Sequence, residues 1–352
     1  MKRILFVLIT LQLSLLTSLA QTKAEQMKHI REVYAQAHQM AADNGKNGAA
    51  PLDMRISRIE TDPTVEIEED EDLQFYFKRP NNGKAICYLI TRKWEADGHT
   101  DYREFLFDPT KGHLLFAFMK AETHAGFKVE TRYYYDAAGR CIEQKHKVQD
   151  EETTADAHSW NDDKSEMERA ARYVKIVNAL LNTKSYAAVP AKGPEAAKKN
   201  DIIKRIREAY TAAKDKVARC DKGEGSQNKV EVVIHDQKDM SMPPQTTTLN
   251  YYYDIEYLSD TYYHCYFLSE KKESMYEQSY EEYLTDDKPE QHNLIFNYCH
   301  ASAEGQELEA RYYYDALGHC VEAKCNIPDY DDRTLTRNRA GHYFSVFNTL
   351  MK

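Results

Sequence analysis

The stretch RYYYDAAGRC, residues 132–141, returns almost unchanged as RYYYDALGHC, residues 311–320. In each copy three aromatic residues, which favour extended backbone, run into an Asp and then a Gly. An Asp that opens a turn and a Gly that accepts a positive φ are typical of a tight connection between antiparallel strands. The stretch therefore predicts a strand and a hairpin turn, placed once in each half of the chain.

Other segments recur in the same order, which shows how the two halves correspond. Residues 28–34 match residues 204–210 at an offset of 176, and residues 169–178 match residues 339–348 at an offset of 170. The one large change in offset falls in the polar segment before the last helical pattern. Self-similarity of this kind predicts a tandem duplication in which length variation is confined to loops.

The periodicity of apolar residues predicts the elements of each half. Met27, Ile30 and Ala37 belong to one apolar stripe of a helix over residues 23–42, and a second helix begins near residue 165. Between these helices, alternating apolar and polar residues predict strands separated by short turns. Because parallel strands need crossovers of about a dozen residues or more, the short turns favour an antiparallel meander.

These elements predict an α+β fold of two tandem repeats. Each repeat has an N-terminal helix, an antiparallel meander of about six or seven strands and a C-terminal helix packed on the sheet, with both helices covering one face. The expected organisation is a signal peptide at 1–20, a first repeat at 21–184, a linker at 185–200 and a second repeat at 201–352. A chain of 352 residues is long enough for two cores.

The first twenty residues have the features of a secretory signal. Lys2 and Arg3 precede an apolar run over residues 4–16. Ser18 and Ala20 then supply the small residues of a cleavage site. No later run reaches the roughly 18 apolar residues of a membrane span. We therefore expect an exported, soluble protein, either periplasmic or extracellular.

The charge and motif content limits the partners and cofactors. The formal net charge is −10 and no basic stripe is present, which argues against nucleic acid as a partner. The histidines and cysteines do not fall at metal-ligand spacings, and no nucleotide-binding fingerprint occurs. We expect neither a metal nor a cofactor.

The repeated stretch resembles the strand–turn unit of the YD-repeat (Rhs-type) proteins, whose pattern is close to Tyr-x-Tyr-Asp-x-x-Gly-Arg. Residues 133–140 match it at both tyrosines, the Asp, the Gly and the Arg, whereas His319 replaces the Arg in the second copy. YD-repeat arrays carry many copies at short spacing, and this chain has one in each half. The resemblance implies a shared hairpin and does not extend to the wider fold.

Tyr134 and Tyr313 are the candidate binding residues. Strand alternation places Tyr134 on the same face as Arg132, and Tyr313 on the same face as Arg311. Tyrosine offers rigid contact area with a polar tip, so these four residues could form a platform for a protein, a peptide or a glycan. The alternative is that the rings are structural and fill a half-buried sheet.

Four of the seven cysteines occupy matched positions, Cys87 and Cys141 in the first half and Cys265 and Cys320 in the second. One disulfide in each half is one interpretation, because export permits oxidation. It would require the two Cα atoms to lie within about 7 Å. The alternative is that all four are small buried residues on strands.

Two carboxylates also recur, since Glu104 and Asp108 return as Glu282 and Asp286. Carboxylates that face each other across a cleft would favour glycoside hydrolysis, whereas carboxylates that cap turns would not. Because no catalytic motif accompanies them, we interpret the chain as a binding or inhibitor-type protein of unknown ligand. The alternatives are a secreted hydrolase acting on envelope or host polymers and a structural envelope protein.

Overall fold

The computed structural model describes most of the chain. The described residues are 22–47, 51–61, 66–78, 85–96, 99–122, 125–149, 151–153, 163–181, 196–237, 243–257, 261–286, 292–303, 305–328, 330 and 332–351. The predicted signal peptide at 1–20 and residues 185–195 of the predicted linker lie outside these ranges.

The described residues contain four helices and fifteen strands. The helices are α1 (Lys23–Asn47), α2 (Asp163–Leu181), α3 (Ala196–Asp221) and α4 (Arg333–Leu350). The strands before α2 are β1 (Leu52–Thr61), β2 (Glu66–Lys78), β3 (Ile86–Ala96), β4 (His99–Phe107), β5 (Leu114–Glu122), β6 (Lys128–Tyr135), β7 (Cys141–Val148) and β8 (Glu151–Thr153). The strands after α3 are β9 (Lys229–Asp236), β10 (Gln245–Tyr257), β11 (Thr261–Glu273), β12 (Glu277–Thr285), β13 (Leu294–Ala303), β14 (Gln306–Tyr314) and β15 (Cys320–Cys325). Within the described ranges, no helix is both long and apolar enough to cross a membrane.

All fifteen strands belong to one antiparallel sheet. Strands that are consecutive in the chain are neighbours throughout, except at the centre, where β1 lies beside β9. The antiparallel prediction is confirmed. The prediction of two repeats, each a separate helix–meander–helix unit, is wrong because β1 and β9 join both series of strands into a single sheet. The α+β class describes this arrangement only loosely.

The β1–β9 pair, which we call the seam, has a clear physical cause. Met54 lies opposite Ile234 and Ile56 lies opposite Val232, and all four side chains are buried on one face. Apart, each strand would present an apolar face and a row of unpaired backbone N–H and C=O groups at a sheet edge. Pairing satisfies those groups and continues one apolar surface across the molecule.

The two helices of each half lie on opposite faces of the sheet. Phe105 and Leu106 are consecutive in β4 and therefore point to opposite faces. Phe105 packs with Tyr173 of α2, whereas Leu106 packs in the cluster that contains Ile30 of α1. The second half shows the same division, so α3 shares a face with α1, and α4 shares a face with α2. The prediction that both helices cover one face is wrong, because the strands carry apolar residues on both faces.

The largest core runs beneath α2 and α4 and crosses the seam. It joins Tyr173 of α2 and Phe347 of α4 to strand residues from both halves, including Tyr133, Ile56 and Tyr251. The two helices pack against each other above it. Two smaller cores lie under α1 and α3 on the other face. The halves therefore share their principal apolar interior.

Three hairpins in each half contain a β-bulge, and within a half all three lie at the same end of the sheet. In every case the extra residue packs into the core under the N-terminal helix of that half. These residues are Tyr88, Leu115, Ile142, Tyr266, Ile295 and Val321. A bulge adds a side chain to one face and increases the local twist. The bulges thus supply the apolar floor on which α1 and α3 rest.

We expect Ile56→Ala to destabilise both halves together, because Ile56 lies in the shared core at the seam. Removing a buried Ile side chain typically costs about 2–5 kcal/mol. Hydrogen exchange in denaturant, followed by mass spectrometry on peptides from β4 and β12, would measure each half. A shift confined to β4 would refute the shared core. Leu335→Ala, at an exposed position of α4, is the matched control.

Candidate anion-binding cleft

A cleft of about 350 Å³ lies at the seam, on the face covered by α2 and α4. Strands β1 to β4 and β9 form its floor, and α2 and the end of α4 form its walls. Five of the lining residues are arginines: Arg58, Arg92, Arg103, Arg169 and Arg172. Such a concentration of guanidinium groups is unusual in a chain whose net charge is −10.

Arg92 and Arg103 are fixed in the floor by buried carboxylates. They lie directly opposite each other on β3 and β4, where like charges repel. Arg92 pairs with Glu71 at 2.6 Å and with Asp101 at 2.7 Å. Arg103 pairs with Asp101 at 2.7 Å and also with Glu166 of α2. The acids offset the repulsion and hold both guanidinium groups in place.

Tyr173 of α2 contacts one carboxylate of these ion pairs. Its hydroxyl donates to Glu71 at 3.4 Å, and the side chain is buried. Burial, with a smaller contribution from the Glu71 charge, raises the pKa of Tyr173 to about 12. The hydroxyl therefore remains a donor across the physiological pH range.

The two arginines of α2 are less completely satisfied. Arg169 Nε lies 4.0 Å from Glu166 Oε1, which is too long for a hydrogen bond. Arg172 donates from Nη2 to the carbonyl oxygen of Leu350 at 3.1 Å. The Nε atoms of both arginines are buried and have no hydrogen-bond partner among the described residues. An unpaired buried donor is costly, so these atoms favour an acceptor in the cleft.

Most of the charge in the lining is balanced by neighbouring groups. Glu69, Glu71 and Asp101 are its acidic members, Glu60 pairs with Arg58 and Glu166 pairs with Arg103, so five carboxylates accompany the five arginines. The arginines of the floor already form ion pairs with Glu71, Asp101 and Glu166. An incoming carboxylate or phosphate would therefore meet the guanidinium groups of α2 first.

The matched positions of the second half carry the opposite charge. Glu270 and Glu281 occupy the places of Arg92 and Arg103 at an offset of 178, and they too lie directly opposite each other. The Tyr283 hydroxyl donates to Glu281 at 2.6 Å and lies 3.3 Å from Glu270. Arg339 of α4 pairs with Glu281 at 2.9 Å, and Tyr343 and Lys272 contact Glu270. The pair of floor arginines thus occurs in the first half only, whereas Arg169 recurs as Arg339.

The tyrosine and arginine residues predicted for binding lie on the other face. Tyr134 and Tyr313 are only 6% and 4% exposed and pack beneath α1 and α3 respectively. Arg132 and Arg311 lie at the rims of those helices, each with its guanidinium 5.4 Å from an aromatic ring centre. These four residues are not part of the seam cleft.

The recurring carboxylate Glu104 holds α1 on the sheet. Its oxygens accept hydrogen bonds from Tyr34 of α1 at 2.5 Å and Tyr102 at 2.7 Å, and His38 of α1 lies within 3.0 Å. Asp108 instead accepts from the backbone N–H groups of the turn that follows it, including Thr110 at 2.8 Å. The pair does not face a common cleft, so it lacks the arrangement that glycoside hydrolysis requires.

Glu282, the counterpart of Glu104, holds α3 in the same way. It accepts from Tyr210 of α3 and from Tyr280 at 2.6 Å, and it pairs with Lys214 of α3 at 2.5 Å. Asp286 bonds Asn293 across its turn at 3.0 Å. The recurrence of these acids is explained by helix attachment and turn geometry.

No disulfide joins any two of the seven cysteines, all of which lie in the described ranges. Cys87 lies near the start of β3 and Cys141 begins β7, and these strands are four strand spacings apart, or about 19 Å. A disulfide needs Cα atoms within about 7 Å. Cys265 and Cys320 stand at the corresponding strands of the second half. Each of the four thiols lies beside a bulge and donates to the carbonyl two residues further on.

The cleft arginines were not among the predicted site residues. Arg92 and Arg103 look like ordinary polar positions of alternating strands, and Arg169 and Arg172 like the polar side of a helix. The signal that could have found them is the contrast with Glu270, whose charge is reversed at a matched position. Among the residues that the structure describes, no cluster of His, Cys, Asp and Glu is arranged to hold a metal ion.

We expect the stability of Glu281→Gln relative to the wild type to fall as the pH falls from 8 to 5. Burial is the main factor that raises the pKa of Glu281, so the wild-type protein gains stability when this carboxyl takes up a proton, whereas the amide of the variant does not titrate. The variant also leaves Arg339 with Asp332 as its ion-pair partner, which lowers its stability across this pH range. Denaturant unfolding from pH 8 to pH 5 measures the difference. The same pH dependence in exposed Glu307→Gln would contradict it.

We also expect alkylation in denaturant, without a reductant, to add seven labels to each chain. Intact mass spectrometry counts the labels directly. Five labels or fewer would require at least one disulfide.

A scan against protein-family models finds no match to this chain, and no curated protein matches its sequence.

Proposed function

We propose that the protein is an exported binding protein that holds an anionic group of its ligand, a carboxylate or a phosphate, in the seam cleft. One observation carries this proposal: Arg169 and Arg172 line the cleft, and among the described residues neither guanidinium has an ion pair shorter than 4.0 Å. A planar guanidinium presents parallel N–H donors that match the two oxygens of a carboxylate or phosphate.

The fixed floor supports binding without rearrangement. Arg92 and Arg103 are 6% and 5% exposed and are held by ion pairs on two sides. Side chains that are already ordered lose little conformational entropy when a ligand arrives. The floor of the cleft is therefore preorganised.

The restriction of the arginines to one half also supports a functional role. Features that the fold needs twice, such as the contacts of Glu104 and Glu282, occur twice. The floor arginines Arg92 and Arg103 occur once, because their counterparts Glu270 and Glu281 are acids that contact Tyr343 and Arg339 of α4, whereas Arg169 recurs as Arg339. A single ligand site at the seam fits a chain with one function better than a pair of equivalent sites.

Export is proposed from the sequence of residues 1–20. The basic pair Lys2 and Arg3, the apolar run and the small residues before position 21 are typical of a cleaved signal. N-terminal sequencing of the protein, after expression in a host that has a secretory pathway, would test this export proposal. Mature chains that begin with Met1 would contradict export by this route.

The binding proposal predicts that multivalent small anions stabilise the protein and that this effect depends on α2. We expect citrate or inorganic phosphate to raise the Tm of the wild type, since a ligand that binds only the folded state stabilises it. Arg169→Gln with Arg172→Gln should weaken binding at least about tenfold in calorimetry, which corresponds to about 1.4 kcal/mol. Arg205→Gln, an exposed change on α3, is the matched control. Equal anion binding by the double variant and the control would overturn the proposal.

A further inference from the structure

A pair of parallel histidine rings lies against the C-terminal turns of α4. His264 of β11 and His292, from the loop between β12 and β13, have ring centres 5.8 Å apart and ring planes only 4° from parallel. His264 is buried. His292 also contacts two rings of α4, Phe344 at 5.4 Å and Phe347 at 5.8 Å. The end of α4 therefore packs on an imidazole that itself faces a second imidazole.

The hydrogen bonds of the pair leave one nitrogen without a partner. Nε2 of His264 donates to the carbonyl oxygen of Asp286 at 2.8 Å. Nε2 of His292 lies 2.9 Å from Oδ1 of Asn348 in α4, an atom that only accepts, so this nitrogen carries the hydrogen. Nδ1 of His292 is buried and has no hydrogen-bond partner among the described residues. A proton added to Nδ1 would find no acceptor within hydrogen-bond distance.

The surroundings of His292 disfavour its charged form. Burial is the largest effect and lowers the pKa of His292, and the charge of His264 lowers it further. The hydrogen bond to Asn348 and the charge of Asp286 raise this pKa by less than burial lowers it. Asp286 already accepts a hydrogen bond from Asn293 at 3.0 Å. The His292 ring is therefore neutral in the folded protein at neutral pH.

The first half carries no histidine at these two positions. Ile86 occupies the place of His264, at an offset of 178. The loop between β4 and β5 is two residues shorter than the loop between β12 and β13. Counted back from the strand that follows each loop, Gly112 takes the place of His292. Because α2 packs on the same sheet without such a pair, the histidines are not a requirement of the fold.

The segment of α4 that contacts the pair is also a wall of the seam cleft. Leu350 and Met351 line that cleft. The carbonyl oxygen of Leu350 accepts from Arg172 of α2 at 3.1 Å. Asn348, the partner of His292, lies two residues earlier in the same helix. Movement of the last turn would therefore change both the cleft wall and the contact of Arg172.

We propose that the His264–His292 pair is an acid-sensitive switch that releases the C-terminal turns of α4 from the sheet. Histidine changes its charge between about pH 5 and pH 8. The folded segment binds a proton at His292 less well than the released segment does, so acidification favours release. The stability that neutral His292 contributes is complete above the pKa of an unfolded histidine, about 6.5, and is lost as the pH falls toward the lower pKa of the folded state.

Hydrogen exchange of the full-length protein at pH 8 and pH 5, corrected for the intrinsic pH dependence of exchange, would test the switch. The double variant His264→Ile with His292→Gln removes both titrating rings, and the isoleucine reproduces Ile86 of the first half. His292→Gln alone, which leaves β11 unchanged, is the second variant. His29→Gln, an exposed change on α1, is the matched control. Peptides from residues 344–351 report the end of α4, and peptides from α2 report the equivalent helix without the pair.

We expect exchange in residues 344–351 of the wild type to accelerate at pH 5 at least about tenfold more than exchange in α2, which corresponds to one pKa unit. Both His292 variants should lose this excess, and His29→Gln should keep it. His342, the other histidine of α4, contacts Leu180 of α2 and is the same in every variant. Equal acceleration in α2 and α4, or an undiminished excess in the double variant, would overturn the proposal. The measurement contains no ligand, so its outcome is independent of anion binding in the seam cleft.

Discussion

The pairing of β1 with β9 is the interaction on which the rest of the structure depends. It removes two sheet edges at once and brings the apolar residues of β1, such as Ile56, beside those of β9, such as Val232. The resulting surface is wide enough to bury α2 and α4 side by side. The cleft exists because this surface ends in a polar strip, where α2 carries Arg169 and Arg172 over the charged floor.

Carboxylates bound by aromatic hydroxyls are the recurring polar device of this fold. Glu104 and Glu282 each tie a helix to the sheet, and Glu270 and Glu281 share the hydroxyl of Tyr283. A buried acid is costly alone, and tyrosine satisfies it without adding a second charge. The high tyrosine content of the chain is therefore explained in large part by interior contacts.

Much of the local structure followed from the sequence, and the global arrangement did not. The helix from Lys23, the antiparallel order and the turn after Tyr135 all rest on periodicity and turn chemistry. The seam joins strands that are distant in sequence, so no local pattern marks it. Strands with apolar residues on both faces, such as Phe105 and Leu106 of β4, are compatible with helices on either side. The sequence did not predict the cleft, because its pattern of polar positions does not distinguish a buried, ion-paired arginine from an exposed one.

The bulge-associated thiols have a consequence for how an exported chain would mature. Burial raises the pKa of Cys87 to about 12 and also raises that of Cys265, so almost no thiolate exists in the folded state. Oxidants and disulfide exchange act on the thiolate. The reactive period is therefore the interval before the hairpins close. Folding competes with oxidation during that interval, and a chain that folds late would risk mispaired disulfides between cysteines that the finished sheet keeps apart.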